Sequence, residues 1–298
     1  MPKIDFLGHM KIFAVISAIL LSVSIGAIVV RGLTFGVEFR GGTVINIGTD
    51  TDLSYAEVRD AFAQAGLVEP VIQSVQEGGF IVRSGETDPD EANRIFVEAA
   101  GILGIDSAAG NVTTIGPGWG ESITNAALMA LVLSIVALLL YMSVRFEYKM
   151  SVCAVIALLH DVVIVVGIYA LAGREITPNT IAALLTITGY SLYDTVVVFH
   201  RMKENSAALV NTTFTAMANR SINQVLVRTI NTSLTSLVPI IALLLFGGET
   251  LMDFAFAITV GLLVSTYSSI GVASPIYVLW KEREPKFQAL AKRQAGAA

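Results

Sequence analysis

Six stretches of about 20 residues, each almost wholly apolar, recur along this chain at roughly 11–30, 124–144, 151–172, 178–200, 227–246 and 253–279. A helix needs about 20 apolar residues to cross a hydrocarbon core ~30 Å thick, and backbone in lipid must satisfy its own hydrogen bonds. The expected fold is therefore a multi-pass α-helical membrane protein with six transmembrane helices. Of the 298 residues 54% are hydrophobic and only 14% charged, with a mean hydropathy of +0.70; a soluble domain carries roughly 25% charged residues. The first stretch could pass for a secretory signal, but it exceeds a signal core of about 7–15 residues and no small-x-small cleavage site follows, so it reads as an uncleaved helix. A net charge of -5 argues against a nucleic-acid partner. The single cysteine, Cys153, leaves no disulfide framework or cysteine metal site to build.

Between the first and second spans lies a polar block with the periodicity of a water-soluble domain. The expected division is 1–31 for the N-terminus and first helix, 32–122 for this block, 123–280 for helices two to six, and 281–298 for the tail. Lys and Arg in short flanks set orientation. Lys3, Lys11, Arg145, Lys149, Arg201, Lys203 and Arg220 share one side with Lys281, Arg283, Lys286, Lys292 and Arg293, while the opposite loops hold little beyond Arg174. Both termini are thus expected in the cytoplasm and the block outside. It is acidic, with Glu38, Asp50, Asp52, Glu57 and Asp60 leading a large excess of carboxylates over arginines. Gly42 to Ile47 reads as a strand. Ser54 and Glu57 form a capping box ahead of a helical face of Tyr55, Val58, Phe62 and Ala65. Val71 to Gln76 and Phe80 to Arg83 are short strands joined by a Glu77-Gly78-Gly79 hairpin signal. Asp88, Pro89 and Glu91 open a second helix with the apolar face Ala92, Ile95, Phe96, Ala99 and Leu103, and Asn111 to Ile115 closes the pattern. This βαββαβ order predicts a ferredoxin-like α+β head domain.

The chemistry is expected inside the membrane. Asp194 interrupts the fourth span, where a charged residue costs about 2.5–3.5 kcal/mol unless it is protonated, paired or wetted. Tyr190, Ser191 and Arg201 fall on or near its helical face. The fifth span carries Arg228, Asn231, Thr232 and Thr235 as a polar stripe, and the two stripes are expected to face each other across a hydrated seam. A carboxyl group that alternately loses and regains water or a cation can switch protonation, so Asp194 and Arg228 are the proton-transfer candidates; a static ion pair fixing helix register is the blander reading. His160-Asp161 in the third span either contributes to the same wet path or hydrogen-bonds to neighbouring helices. His200 is expected in solvent, and Tyr141, Tyr148 and Trp280 as interfacial anchors. Gly41-Gly42 reads as a turn, since no GxGxxG or GxxxxGK[ST] pattern accompanies it. HExxH and GxSxG are absent, and Tyr193-Asp194 lacks the GxGD partner of an intramembrane aspartyl protease, so no enzyme activity is expected.

The stretches Gly189-Tyr-Ser-Leu-Tyr-Asp-Thr-Val-Val-Val-Phe-His-Arg-Met-Lys-Glu-Asn205, Arg228-Thr-Ile-Asn-Thr-Ser-Leu-Thr235 and Leu33-Thr-Phe-Gly-Val-Glu-Phe-Arg-Gly-Gly-Thr43 closely resemble motifs of the SecF family. Its members are subunits of the bacterial SecDF protein-export complex, in the resistance-nodulation-division superfamily. Tyr193 stands where the family usually has Asn, His200 where it has Asp, and Glu38 and Arg40 where Asp and Thr are common. The resemblance implies a subunit of the cytoplasmic membrane that pairs with SecD. It would use proton influx to draw exported polypeptides outward after the SecYEG translocon, with Asp194 as proton carrier and Arg228 as its modulating partner. Protons would be the coupling ion and no cofactor is implied. Half of a proton-coupled small-molecule exporter is the alternative within the same superfamily, and a passive scaffold would tolerate Asp194→Asn.

Overall fold

A computed structural model describes residues 4–48, 53–68, 70–74, 79–207 and 212–289. Lys3, Asp50, Asp52, Gln76, Glu77, Gly78, Lys292 and Arg293, used above, lie outside the described residues. In chain order the elements are α1 (Met10–Arg31), β1 (Thr34–Phe35), α2 (Val37–Arg40), β2 (Gly42–Ile47), α3 (Tyr55–Gln64), β3 (Val71–Ser74), β4 (Phe80–Ser84), α4 (Pro89–Leu103), β5 (Gly110–Ile115), α5 (Pro117–Arg145), α6 (Tyr148–Ala172), β6 (Glu175–Ile176), α7 (Pro178–Ala207), α8 (Phe214–Phe246), α9 (Gly248–Ser268) and α10 (Ser274–Lys281). A π-helical turn, Ser269–Ala273, links the last two. Among the described residues six helical spans are long and apolar enough to cross a membrane, the sixth being α9, the π turn and α10 in series. Helix α8 begins 13 residues before the apolar stretch expected at 227, because the polar run from Phe214 is capped by Thr213 and simply continues into it. The chain divides into two compact units, one of residues 1–34, 131–174 and 179–298, the other of 35–130 and 175–178.

In the second unit the four strands form an antiparallel sheet in the order β3-β4-β2-β5. Helices α3 and α4 bury Val58, Phe62, Ile95 and Phe96 against Ile45 and Val82 of that sheet. The capping box forms as the sequence predicts: Ser54 accepts from the Glu57 backbone, and Glu57 accepts from the Ser54 N–H at 2.8 Å. Asp88 caps α4, with Pro89 in its first turn. Tyr55 departs from expectation, being 51% exposed at the first helical position after the cap. The short ladder β1-β6 and the Arg83–Glu175 ion pair, 2.9 Å long, bind residues 175–178 into this unit.

In the first unit the buried faces of α6, α7, α8 and α10 meet around Cys153, Phe199, Met202, Phe214 and Tyr277. Small residues bring α1 and α6 together: a Cβ added at Gly167 would lie 2.2 Å from the Ser24 side chain, the close approach on which helix association in lipid depends. The N-terminal segment is clasped by α8. Asn219 accepts from the Phe6 N–H and Asn223 from the Ile4 N–H, both at 2.9 Å. Where the sixth span ends, Lys149 and Lys281 pair with Glu284 and Glu147 at 2.7 and 2.5 Å.

Gly42 is held at φ +131°, and a Cβ there would stand 2.3 Å from the Ser84 carbonyl oxygen on the neighbouring strand. Gly42→Ala therefore combines left-handed strain with a backbone collision, and a loss of about 1–3 kcal/mol is expected, read as a lower unfolding midpoint of the purified chain. The Ser54 backbone N–H, and secondarily its hydroxyl, hold the Glu57 carboxyl below its ordinary value. A depressed folded-state value stabilises above the unfolded value and is lost as pH falls through the folded one. The difference in midpoint between the native chain and Glu57→Gln is expected at pH 7 and should shrink as pH falls below the ordinary carboxylate range.

Candidate functional site

Helix α7 separates its residues by face. Ser191, Leu192, Asp194, Thr195 and Val198 are buried, while Tyr190, Tyr193 and His200 are exposed. Asp194 thus lies inside the bundle at 7% exposure, and among the described residues its carboxyl group makes no hydrogen bond and no ion pair within 4.0 Å. Arg228 of α8 lies close enough to act on it through space, but its Nη2 donates instead to the Tyr193 hydroxyl at 2.9 Å. The static Asp194–Arg228 ion pair is therefore not formed. Asn231 and Thr235 share the exposed face of α8 with Arg228, and the Thr235 hydroxyl returns to the Asn231 carbonyl at 2.9 Å. The two stripes meet through Tyr193, on the solvent or lipid side of α7, rather than through the carboxyl group. Arg201, expected beside Asp194, is engaged by Gln224 at 2.7 Å and Glu204 at 2.9 Å.

A second polar centre forms around Asp161 of α6, which is wholly buried. Its Oδ2 accepts from Ser191 of α7 and from Ser268 of α9, each at 2.7 Å. Its Oδ1 lies 3.0 Å from Nδ1 of His160. The His160 ring is tilted against Tyr267, centroids 6.3 Å apart, and the Tyr267 hydroxyl donates to the Phe13 carbonyl at 2.6 Å while meeting Ser17 at 2.8 Å. Thr195, next to Asp194, bonds Ser269 at 2.9 Å. Of the residues singled out from sequence, His160, Asp161 and Ser191 come together in one cluster. Tyr190, Asn231 and Thr235 do not join it.

Sequence reasoning missed Ser268, Ser269, Tyr267 and Ser17. A signal existed: Ser265, Ser268, Ser269 and Ser274 punctuate the sixth span, and hydroxyls in an apolar helix either return to their own backbone or seek a neighbouring helix. Ser265 does the first, reaching the Leu262 carbonyl, and Ser268 and Ser269 do the second.

The profile described as protein export membrane protein SecD/SecF, C-terminal, matches residues 99–283, and that of the SecD/SecF GG motif matches residues 26–52. Protein translocase subunit SecF of Streptomyces coelicolor is 38% identical over 307 residues, covering 99% of this chain and 82% of that protein. The SecF of Petrotoga mobilis is 35% identical over 301 residues, covering 97% and 99%. The crystal structure of SecDF, a translocon-associated membrane protein from Thermus thermophilus, superposes with a TM-score of 0.87 at 36% identity. That match takes in 95% of this chain but only 39% of the SecDF chain. With a near full-length match to SecF proteins and both family profiles in place, the chain belongs to the SecF family of protein translocase subunits.

Proposed function

We propose that the chain is the SecF half of a proton-driven Sec export machine, in which Asp194 takes up and releases the coupling proton and Arg228 modulates it. One observation carries the reading: a carboxyl group in the middle of a membrane helix, 7% exposed, with no hydrogen-bond partner among the described residues. In such surroundings the ionised form is costly without a cation or water, and the neutral form is not. Arg228, tethered to the adjacent Tyr193, is the cation whose approach or withdrawal would tip that balance. A proton falling through ~100 mV releases about 2.3 kcal/mol, enough to bias a two-state element with a gap of that size. The machine works without bond-making catalysis and without a cofactor.

The partner is a second six-helix subunit of SecD type. In support, α8 turns Arg228, Asn231 and Thr235 outward at membrane depth, where lipid offers a polar side chain nothing. The related SecDF chain extends well beyond the part that this chain matches. SecYEG and the exported polypeptide complete the assembly, following the translocase names of the relatives. The unit built on the β3-β4-β2-β5 sheet is a ferredoxin-like head, a reading supported by its βαββαβ order. It stands outside the cytoplasmic membrane with both termini inside, a reading supported by the Lys and Arg flanks.

Asp194→Asn is expected to abolish proton flux and the export of a secreted reporter while leaving membrane insertion intact. Unchanged flux and export in that variant would reduce Asp194 to a structural residue. For orientation, a single cysteine at Asp106 in a Cys153→Ser background should react with a membrane-impermeant maleimide in intact cells. Protection of that cysteine until the cells are lysed would invert the topology.

A further inference from the structure

We propose that His160 and Asp161 form a second proton-holding couple, with Nε2 of His160 as the atom that accepts the proton, tied to the Asp194 helix through Ser191. The proposal rests on the proton-driven reading above and adds a site to it. Asp161 receives two serine hydroxyls on Oδ2, so Oδ1 is the oxygen left to share a proton with Nδ1 of His160, 3.0 Å away. One proton occupies that contact in any arrangement, because two bare lone pairs would repel. The remaining ring nitrogen, Nε2, is buried and has no partner among the described residues, and His160 as a whole is 6% exposed.

With Nε2 bare, the couple carries one net negative charge in the bundle interior. With Nε2 protonated, imidazolium and carboxylate cancel, and moving the shared proton onto Oδ1 leaves the same neutral total. A buried net charge is far more costly than a buried neutral pair, so an arriving proton has both a reason to bind and a single atom to bind to. The ionisable groups on the elements packed around the couple leave it undisturbed or are committed elsewhere. On α6 itself, Lys149 pairs with Glu284 and Tyr169 donates to the Asp253 carbonyl, while Cys153 lies in the apolar core. On α1, Lys11 and Arg31 sit at the two ends. On α9, Asp253 holds Arg174 at 2.5 Å and Tyr267 donates to Phe13. On α10, Lys281 holds Glu147 at 2.5 Å and Tyr277 also reaches Glu147. On α7, Tyr190 and Tyr193 face outward and Asp194 remains, one helical turn beyond Ser191.

Loading the couple has a consequence for that turn. Hydrogen bonds to an ionised carboxylate are roughly twice as strong as neutral ones, so a proton that settles on the carboxyl group weakens the grip on Ser191 and on Ser268 together. The second of these adjoins the π turn, a feature that recurs at functional sites.

The test uses the full chain labelled with 15N-histidine, whose three histidines are separated by assigning His160 with a His160→Asn variant. Asn keeps a donor where Nδ1 stands but cannot titrate. The ring of His160 is expected to gain one proton on Nε2 as pH is lowered across the range in which the chain stays folded. Asp161→Asn, and more mildly Ser191→Ala, should displace the midpoint, the first by at least ~1 pH unit, a tenfold change in proton affinity. In membrane vesicles, His160→Asn should shift the pH profile of proton flux without abolishing it. A ring that keeps one protonation state across that range in the folded chain, or a His160→Asn flux profile identical to the native one, overturns the couple. Loss of flux in Asp194→Asn combined with either result would leave the proton-driven reading standing while the couple falls. A titrating His160 with unaltered flux in Asp194→Asn would leave the couple standing while Asp194 loses its role as proton carrier.

Discussion

The rotational setting of α6, α7 and α9 depends on one carboxyl group. Asp161 is wholly buried and accepts hydroxyls from Ser191 and Ser268 at 2.7 Å while contacting its own neighbour His160. For a carboxyl group buried this deeply a lost donor is costly to replace, so each helix that supplies one is held at a defined angle. Ser191 meets Asp161, and Thr195, four residues on, meets Ser269. Asp194 lies between these two on the same helix and makes no bond of its own with the described residues. Its position inside the bundle is dictated by its neighbours' bonds. In that arrangement a change in the protonation of Asp194 would break no hydrogen bond to the described residues.

Helix α8 distributes polarity on two sides with different consequences. Inward, Ser233 bonds Thr266 of α9 at 2.7 Å, and the Thr229 hydroxyl is buried without a partner among the described residues. Outward, Arg228, Asn231 and Thr235 are exposed, with the threonines returning to carbonyls of their own helix. Back-bonding satisfies a hydroxyl but does nothing for a guanidinium, which has five donors and among the described residues meets one phenol oxygen. A face of this kind is unfavourable against lipid and acceptable against protein or a hydrated path. It is the strongest physical support in the chain for a second subunit.

Much of this was legible in the sequence, for reasons that differ by region. The six spans follow from length and apolarity alone, and the second unit's elements follow from caps: Ser54 with Glu57, and Asp88 with Pro89, start their helices where the pattern says. Val58, Phe62, Ile95 and Phe96 fall inside because a period of 3.6 places them there. Tyr55 shares that period yet is exposed, because periodicity names a face and cannot say how far along the helix the core extends. The same limit applies to the site. Spacing placed Arg201 and Arg228 near Asp194, but it could not say that Gln224 and Tyr193 would engage them first. The cluster at Asp161 was half visible, as His160, Asp161 and Ser191. Its other half belongs to a helix more than 100 residues away in sequence, and no periodicity within one helix reports on that.

The sixth span shows how a local irregularity can serve such a cluster. In a regular α-helix successive side chains diverge by about 100°, so adjacent serines point in different directions. Here Ser268 reaches Asp161 on α6 while Ser269 reaches Thr195 on α7, and the divergence is used to stitch two different helices. The backbone then passes into the π turn Ser269–Ala273, where the regular i→i-4 pattern is interrupted, and the Ser274 hydroxyl donates to the Ser269 carbonyl at 2.8 Å. A side chain thus satisfies an oxygen at the very point where the turn alters the backbone bonding. Ser269 thus stitches α7 through its hydroxyl and receives the Ser274 hydroxyl through its carbonyl. The two contacts therefore meet at the junction of α9 and α10, where the helix leaves its regular bonding pattern.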